Sequence, residues 1–254
     1  MTILIRFLAA LCLLVPLSGT AAPRVIHVVV ALCDNFNQGI VPVPLKLGNG
    51  KDPANNLYWG AMYGVKTFMG KQGDWKRIEI KTGLIAPLLD RVVFKHAGTD
   101  TYLIADAYDG AHMEQATTDF LDYAAGQQKQ TIPAGKQSLP AGGDAQLVVF
   151  VGHNGLMDFS LRKVPARADN AKRDVAIFAC QSRAYFLDII KAVGARPLLL
   201  TTGNMAPEAY VLHAMAGAWA KGESQASIHD KTARAYHRYQ KSGLKGARRL
   251  FATE

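Results

Sequence analysis

The fold class that this sequence predicts is α/β: a three-layer α/β/α sandwich around a mainly parallel sheet. Three observations predict it. Four apolar runs, Val25 to Leu32, Ala145 to Val151, Val175 to Ala179 and Pro197 to Thr201, lack polar alternation, which is the pattern of strands covered on both faces. Segments with helical spacing lie between such runs, so strand and helix alternate nearly throughout. The chain's 254 residues suffice for one large core and contain no internal repeat.

The elements follow in order. Residues 1–22 read as a secretory signal, with Arg6, an apolar run from Phe7 to Leu17, and small residues closing it at Ser18-Gly19-Thr20-Ala21-Ala22. That run is short of the ~20 apolar residues of a membrane helix, and no later segment approaches that length. The expectation is therefore a single domain over residues 23–254, periplasmic or secreted, with no stable membrane span after signal cleavage. Cleavage removes Cys12 and leaves Cys33 and Cys180, too few for a disulfide framework.

Val25 to Leu32 is the first strand, and the Pro- and Gly-rich stretch from Asn35 to Asn56 is a loop. Asn56 to Met69 has helical spacing, with Tyr58, Trp59 and Tyr63 expected to pack into the core and Gly60 and Gly64 permitting close approach to the sheet. Weaker strands are read at Arg77 to Lys81, Arg91 to Lys95 and Thr101 to Ala105, followed by a helix from Met113 to Ala125. Gln127 to Gly143, rich in Gln, Lys, Gly and Pro, reads as a surface loop. Helices are then expected at Arg183 to Val193, Pro207 to Lys221 and Ser227 to Gln240.

The formal charge of +9 falls to +8 without Arg6, and much of it lies in Lys231, Arg234, Arg238, Lys241, Lys245, Arg248 and Arg249. No nucleic-acid motif accompanies these residues, so they read as a solvated helix face and basic tail, and nucleic acid is not an expected partner.

In parallel α/β sheets ligands bind beyond the carboxyl ends of the strands. The four strong runs end in Cys33-Asp34-Asn35, Gly152-His153-Asn154-Gly155, Cys180-Gln181-Ser182 and Thr202-Gly203-Asn204. A thiol needs a neighbouring base to become a nucleophile, and His is suited to that. If the strands of His153 and Cys180 are adjacent, their ends lie about 5 Å apart, and the two side chains can bracket a carbonyl carbon. Main-chain N–H groups near Asn154 and Cys180 are candidate oxyanion donors. Competing uses of these residues are a Cys33–Cys180 disulfide and a purely binding role for the polar strand ends. A third reading, a metal-dependent hydrolase, rests on Asp106, Asp109 and His112, with His27 and His96 elsewhere. Their spacing matches no ligand pattern, and Asp109-Gly110 is a turn dipeptide.

These strand ends resemble those of the caspase-like cysteine peptidases, the group of metacaspases, legumains and gingipains. Members place a histidine after one apolar strand and a cysteine after the next. Leu147-Val-Val-Phe-Val-Gly-His153 and Val175-Ala-Ile-Phe-Ala-Cys180 match that order. The helix from Glu114 and the Asp144 before the histidine strand are similar to metacaspases, and Thr201 to Tyr210 is similar to the pocket-shaping segment of legumain-like members. Two departures are His153-Asn154-Gly155 in place of His-Gly and the Pro- and Gly-rich stretch from Asn35 to Asn56, which has no counterpart in the best-known members. The resemblance implies a caspase-like fold, no cofactor, and a peptide or protein substrate cleaved through a Cys180 thioester. It gives His153 the role of acid and base and Asn35 that of orienting it. Asp34, Asn154, Gly155, Gln181, Ser182, Thr202 and Asn204 are the candidate substrate-binding residues. Asp34 would suit a Lys or Arg side chain, whereas Thr202, Asn204 and the positive charge would suit an acidic one; the sequence leaves both open.

Overall fold

A computed structural model describes residues 22–253, so the expected leader lies outside the described residues but for Ala22. The apolar runs become the middle of one eight-stranded sheet. In chain order its strands are β1 (Arg24–Ala31), β2 (Trp75–Lys81), β3 (Leu88–His96), β4 (Thr101–Tyr108), β7 (Leu147–Val151), β8 (Asp174–Phe178), β9 (Arg196–Thr201) and β10 (Phe251–Ala252), while β5 (Lys129–Ala134) and β6 (Gln137–Gly142) pair separately. The sheet order is β10-β9-β8-β7-β1-β4-β3-β2. Strands β9, β8, β7, β1 and β4 are mutually parallel.

Alternation along β1 shows why the molecule has three layers. Ile26, Val28 and Val30 face one core with α1 (Val65–Met69), α4 (Ala209–Ala220) and α5 (Gln225–Gln240). Val25, Val29 and Ala31 face the other with α2 (Met113–Ala124) and α3 (Ser182–Ala192). Because successive side chains point to opposite faces, burial on both sides requires the unbroken apolar composition seen in the sequence. Each such side chain contributes about 1.5–3 kcal/mol when fully buried.

β1 also defines the switch point of the sheet. Its neighbours are β4 on one side and β7 on the other, so the connections leaving the two halves diverge there, the topology at whose carboxyl end α/β sheets take ligands.

Four features differ from the sequence reading. The weaker strands form an antiparallel meander, β2 with β3 and β3 with β4, rather than further βα units. Gln127 to Gly143 is a β-hairpin, not a loop. Its Ile132, Ala134, Leu139 and Ala141 alternate inward and are buried against α2 and β1, a short period-2 pattern masked by the surrounding Gln, Lys and Gly. Asn56 to Met69 is helical only from Val65. Turns replace the helix because the Asn56 side chain bridges Cys33 and Tyr58 main-chain groups. The main chain of Ala54 also lies 2.1 Å from where a Gly60 Cβ would stand. The aromatic residues reach the core nonetheless, with Tyr58 and Trp59 buried. Finally, α6 (Leu244–Leu250) and β10 close the sheet edge antiparallel to β9.

Part of the basic C-terminal cluster is internally paired: Lys231 with Glu223, and Arg234 and Arg248 with Asp230. Among the described residues no helix is long and apolar enough to cross a membrane.

Candidate active site at the carboxyl edge

The register of two strands sets the geometry of this edge. Val151 of β7 pairs with Phe178 of β8, and the Gly152 N–H donates to the Phe178 carbonyl at 3.2 Å. His153 and Cys180 each lie two residues beyond this pair. Neighbouring strands are about 4.8 Å apart. The side chain of Asn154 ties the two ends together, donating to the Cys180 carbonyl at 2.8 Å while its oxygen accepts the Leu156 N–H at 3.1 Å. That second bond caps a single 3₁₀ turn, Gly155–Met157, which returns the chain toward His153.

The returning residue is Asp158. Its Oδ2 lies 2.8 Å from His153 Nε2. A carboxylate only accepts, so Nε2 carries the proton and Nδ1 is left as the basic nitrogen. The same Oδ2 accepts the Gly39 N–H at 2.9 Å, which joins the loop after β1 to the histidine. His153 is buried and Asp158 one-third exposed, so the imidazole is fixed while the carboxylate keeps some water.

Cys180 is partly buried, and its sulfur meets the Met205 main chain, receiving the N–H at 3.4 Å and lying 3.6 Å from the carbonyl oxygen. The Ala206 N–H donates to the Tyr236 hydroxyl at 3.3 Å and steadies that segment. At its end, burial raises the Glu208 carboxyl above its ordinary range, against hydrogen bonds from Tyr210 and Gln240.

Cys33 behaves differently. It is fully buried, and burial pushes its thiol up to about 11 despite a hydrogen bond from the Tyr58 hydroxyl. Both cysteines are free, so the Cys33–Cys180 disulfide considered from the sequence is not formed.

The structure separates the other candidates by what their polar atoms already hold. Asn35 holds Val43, donating to its carbonyl at 2.7 Å and accepting its N–H at 3.0 Å; the contact to His153 expected of Asn35 is made by Asp158 instead. Asp34 is buried and accepts from the Phe36 and Asn37 main chain and the Asn37 amide. Ser182 is buried and exchanges bonds with Thr201. Thr202 anchors the end of α6 through the Arg249 and Leu250 carbonyls. Gly155 is buried within the 3₁₀ turn. Gln181 and Asn204 meet each other at 3.1 Å beside the thiol segment and remain accessible.

The metal reading fails on geometry. Asp106 is buried between His27, at 3.0 Å, and Arg91; Asp109 caps the turn before α2. His112 stands 3.7 Å from Asp109. Among the described residues no group of three His, Cys, Asp or Glu side chains could hold a metal ion.

Sequence reasoning missed Asp158 and Met205. Neither belongs to a motif, and the only local cue was Asn154-Gly155, a capping residue before a short turn that brings position 158 back to position 153. Comparison with protein-family models, curated proteins and solved structures finds no match to this chain.

Proposed function

We propose that the protein is an exported, caspase-like cysteine peptidase with Cys180 as nucleophile, His153 as acid and base, and Asp158 as the residue that orients His153. The observation that carries this reading is that His153 and Cys180 each follow, by two residues, the paired ends of adjacent parallel strands, that Asn154 ties the two segments together, and that His153 Nε2 is bonded to a carboxylate. The arrangement lies beside the switch point at which α/β sheets take ligands. His153 follows the third parallel strand of the chain and Cys180 the next, the order expected from the caspase-like resemblance.

The chemistry balances with these residues alone. His153 Nδ1 takes the Cys180 proton, and the sulfur forms a C–S bond to the peptide carbonyl carbon. The oxyanion faces main-chain N–H groups beside Cys180 and Asn154. His153 returns its proton to the amine as the C–N bond breaks, and water then hydrolyses the thioester to release the acid and restore the thiol.

A non-catalytic binder is the competing reading, favoured by the contact of Cys180 sulfur with Met205, which a substrate would have to displace. A peptide-library digest, read by mass spectrometry, decides between them. Cleavage by the wild type that is abolished in both Cys180→Ala and His153→Ala supports the peptidase. Equal products from all three proteins, or none from the wild type, overturn it.

A further inference from the structure

The loop after β1 is unusual for a surface segment. From Phe36 to Leu45 it reads Phe-Asn-Gln-Gly-Ile-Val-Pro-Val-Pro-Leu, ten residues without a charge in a chain that is 19% charged. Phe36, Val41 and Leu45 are 82%, 88% and 72% exposed. Scattered exposed apolar residues need no explanation, but three large ones on one short loop mark a contact surface.

The exposure is built, not a product of slack. Asn35 clamps Val43 through two hydrogen bonds. The Gln38 amide donates to the Leu32 and Gly110 carbonyls, and Asp34 accepts the N–H groups of Phe36 and Asn37. A loop so braced presents its apolar side chains at little ordering cost on binding.

The loop also touches the candidate chemistry. Gly39 donates at 2.9 Å to the same Asp158 oxygen that holds His153. We infer that Phe36, Val41 and Leu45 form a preformed subsite for apolar side chains of the peptide that occupies the Cys180–His153 site, with Gly39 linking that subsite to Asp158. The inference rests on the peptidase reading for the identity of its occupant. Its evidence is the continuity of the loop with the site. A lipid surface is the lesser occupant, because the basic residues that would hold an anionic bilayer are absent from all ten positions.

The test uses Cys180→Ala protein, so that peptides bind without being cut, and the triple variant F36S/V41S/L45S in the same background. Both are checked for folding by thermal melting. Each is panned against a displayed random-peptide library, and binding of selected peptides is measured by fluorescence anisotropy. The expected result is enrichment of peptides with large apolar residues, bound about tenfold or more weakly by the triple variant. Enrichment that is unchanged in the triple variant overturns the subsite, as does the absence of any apolar enrichment. Binding of phosphatidylcholine vesicles that the triple variant loses, with peptide affinity unchanged, assigns the loop to lipid and overturns it too. Cleavage by the unmutated protein is read separately. Loop-dependent binding without cleavage keeps the subsite and rejects the peptidase, whereas cleavage with loop-independent selection does the reverse.

Discussion

The Asn154 side chain donates to the main-chain carbonyl of Cys180 at 2.8 Å. The residue that interrupts the expected His-Gly pair is thus a strut between two strand ends, holding the segment that bears the thiol against the segment that bears the imidazole. Asn154→Ala removes the strut and the cap of the following turn together. The expected outcome is a loss of about 1–2 kcal/mol in stability, from the lost cap and an unsatisfied carbonyl. A urea midpoint unchanged from wild type would contradict it.

Asp158→Asn replaces an acceptor with a group that can also donate, so Nε2 no longer has to carry the proton. The expected result is a fall in kcat of roughly a hundredfold with KM nearly unchanged. Nitrogen NMR of the His153 ring should show the shift of tautomer. An unaltered ring spectrum would mean that Asp158 does not set it.

Gly39→Ala tests the same carboxylate from the other side. An added Cβ would stand 2.4 Å from Asp158 Oδ1, and the side chain yields more readily than the braced loop. Displacing Asp158 should lower kcat about 10- to 100-fold while leaving the melting temperature close to wild type. Wild-type kcat in this variant would show that the Gly39 contact is not coupled to His153.

The two thiols should differ in reactivity. With its thiol at about 11 and fully buried, Cys33 is about one part in a thousand thiolate at pH 8. Iodoacetamide at that pH, followed by mass mapping of the native protein, should label Cys180 and spare Cys33. Because the folded value of Cys33 is raised above the unfolded one, its contribution to stability is present below about pH 9 and lost as pH rises towards 11. Cys33→Ala should therefore flatten the alkaline limb of the stability profile.

Arg91→Ala leaves the Asp106 carboxylate buried with His27 as its remaining partner. Stability should drop by about 3–5 kcal/mol in urea unfolding. Burial alone would raise the Asp106 pKa, but hydrogen bonds from Arg91 and His27 lower it overall. Its contribution is thus present above the ordinary carboxylate value and lost as pH falls through the lowered one, a limb that Arg91→Ala should weaken.

The sheet's middle was legible because burial on both faces demands unbroken apolar runs, and β1, β7, β8 and β9 have them. Their register places the segments that carry His153 and Cys180 at neighbouring strand ends, so that proximity could be read from the apolar runs alone. The hairpin of β5 and β6 was illegible because its inward set is only Ile132, Ala134, Leu139 and Ala141, too sparse to outweigh the Gly and Pro around it. Asp34 was read as a site residue because it follows a strand, and Asn35 also through the caspase-like resemblance, yet both spend their polar atoms on the loop itself. Position after a strand predicts location; it does not predict which hydrogen bonds a side chain is free to make. Asp158 illustrates the converse, since its role depends on a turn whose path no pattern encodes.

The central place of β1 has a kinetic consequence. Arg24 pairs with Thr101 and Ile26 with Leu147, so the first strand of the chain is completed only when residues far downstream arrive. Until then its run of valines is unpaired on both edges, the kind of segment that chaperones bind and that aggregates when they do not. Closing two such long loops makes assembly slow for a domain of this size. Refolding from denaturant should accordingly be sensitive to protein concentration, with substitutions in β1 changing yield before they change the stability of what has folded.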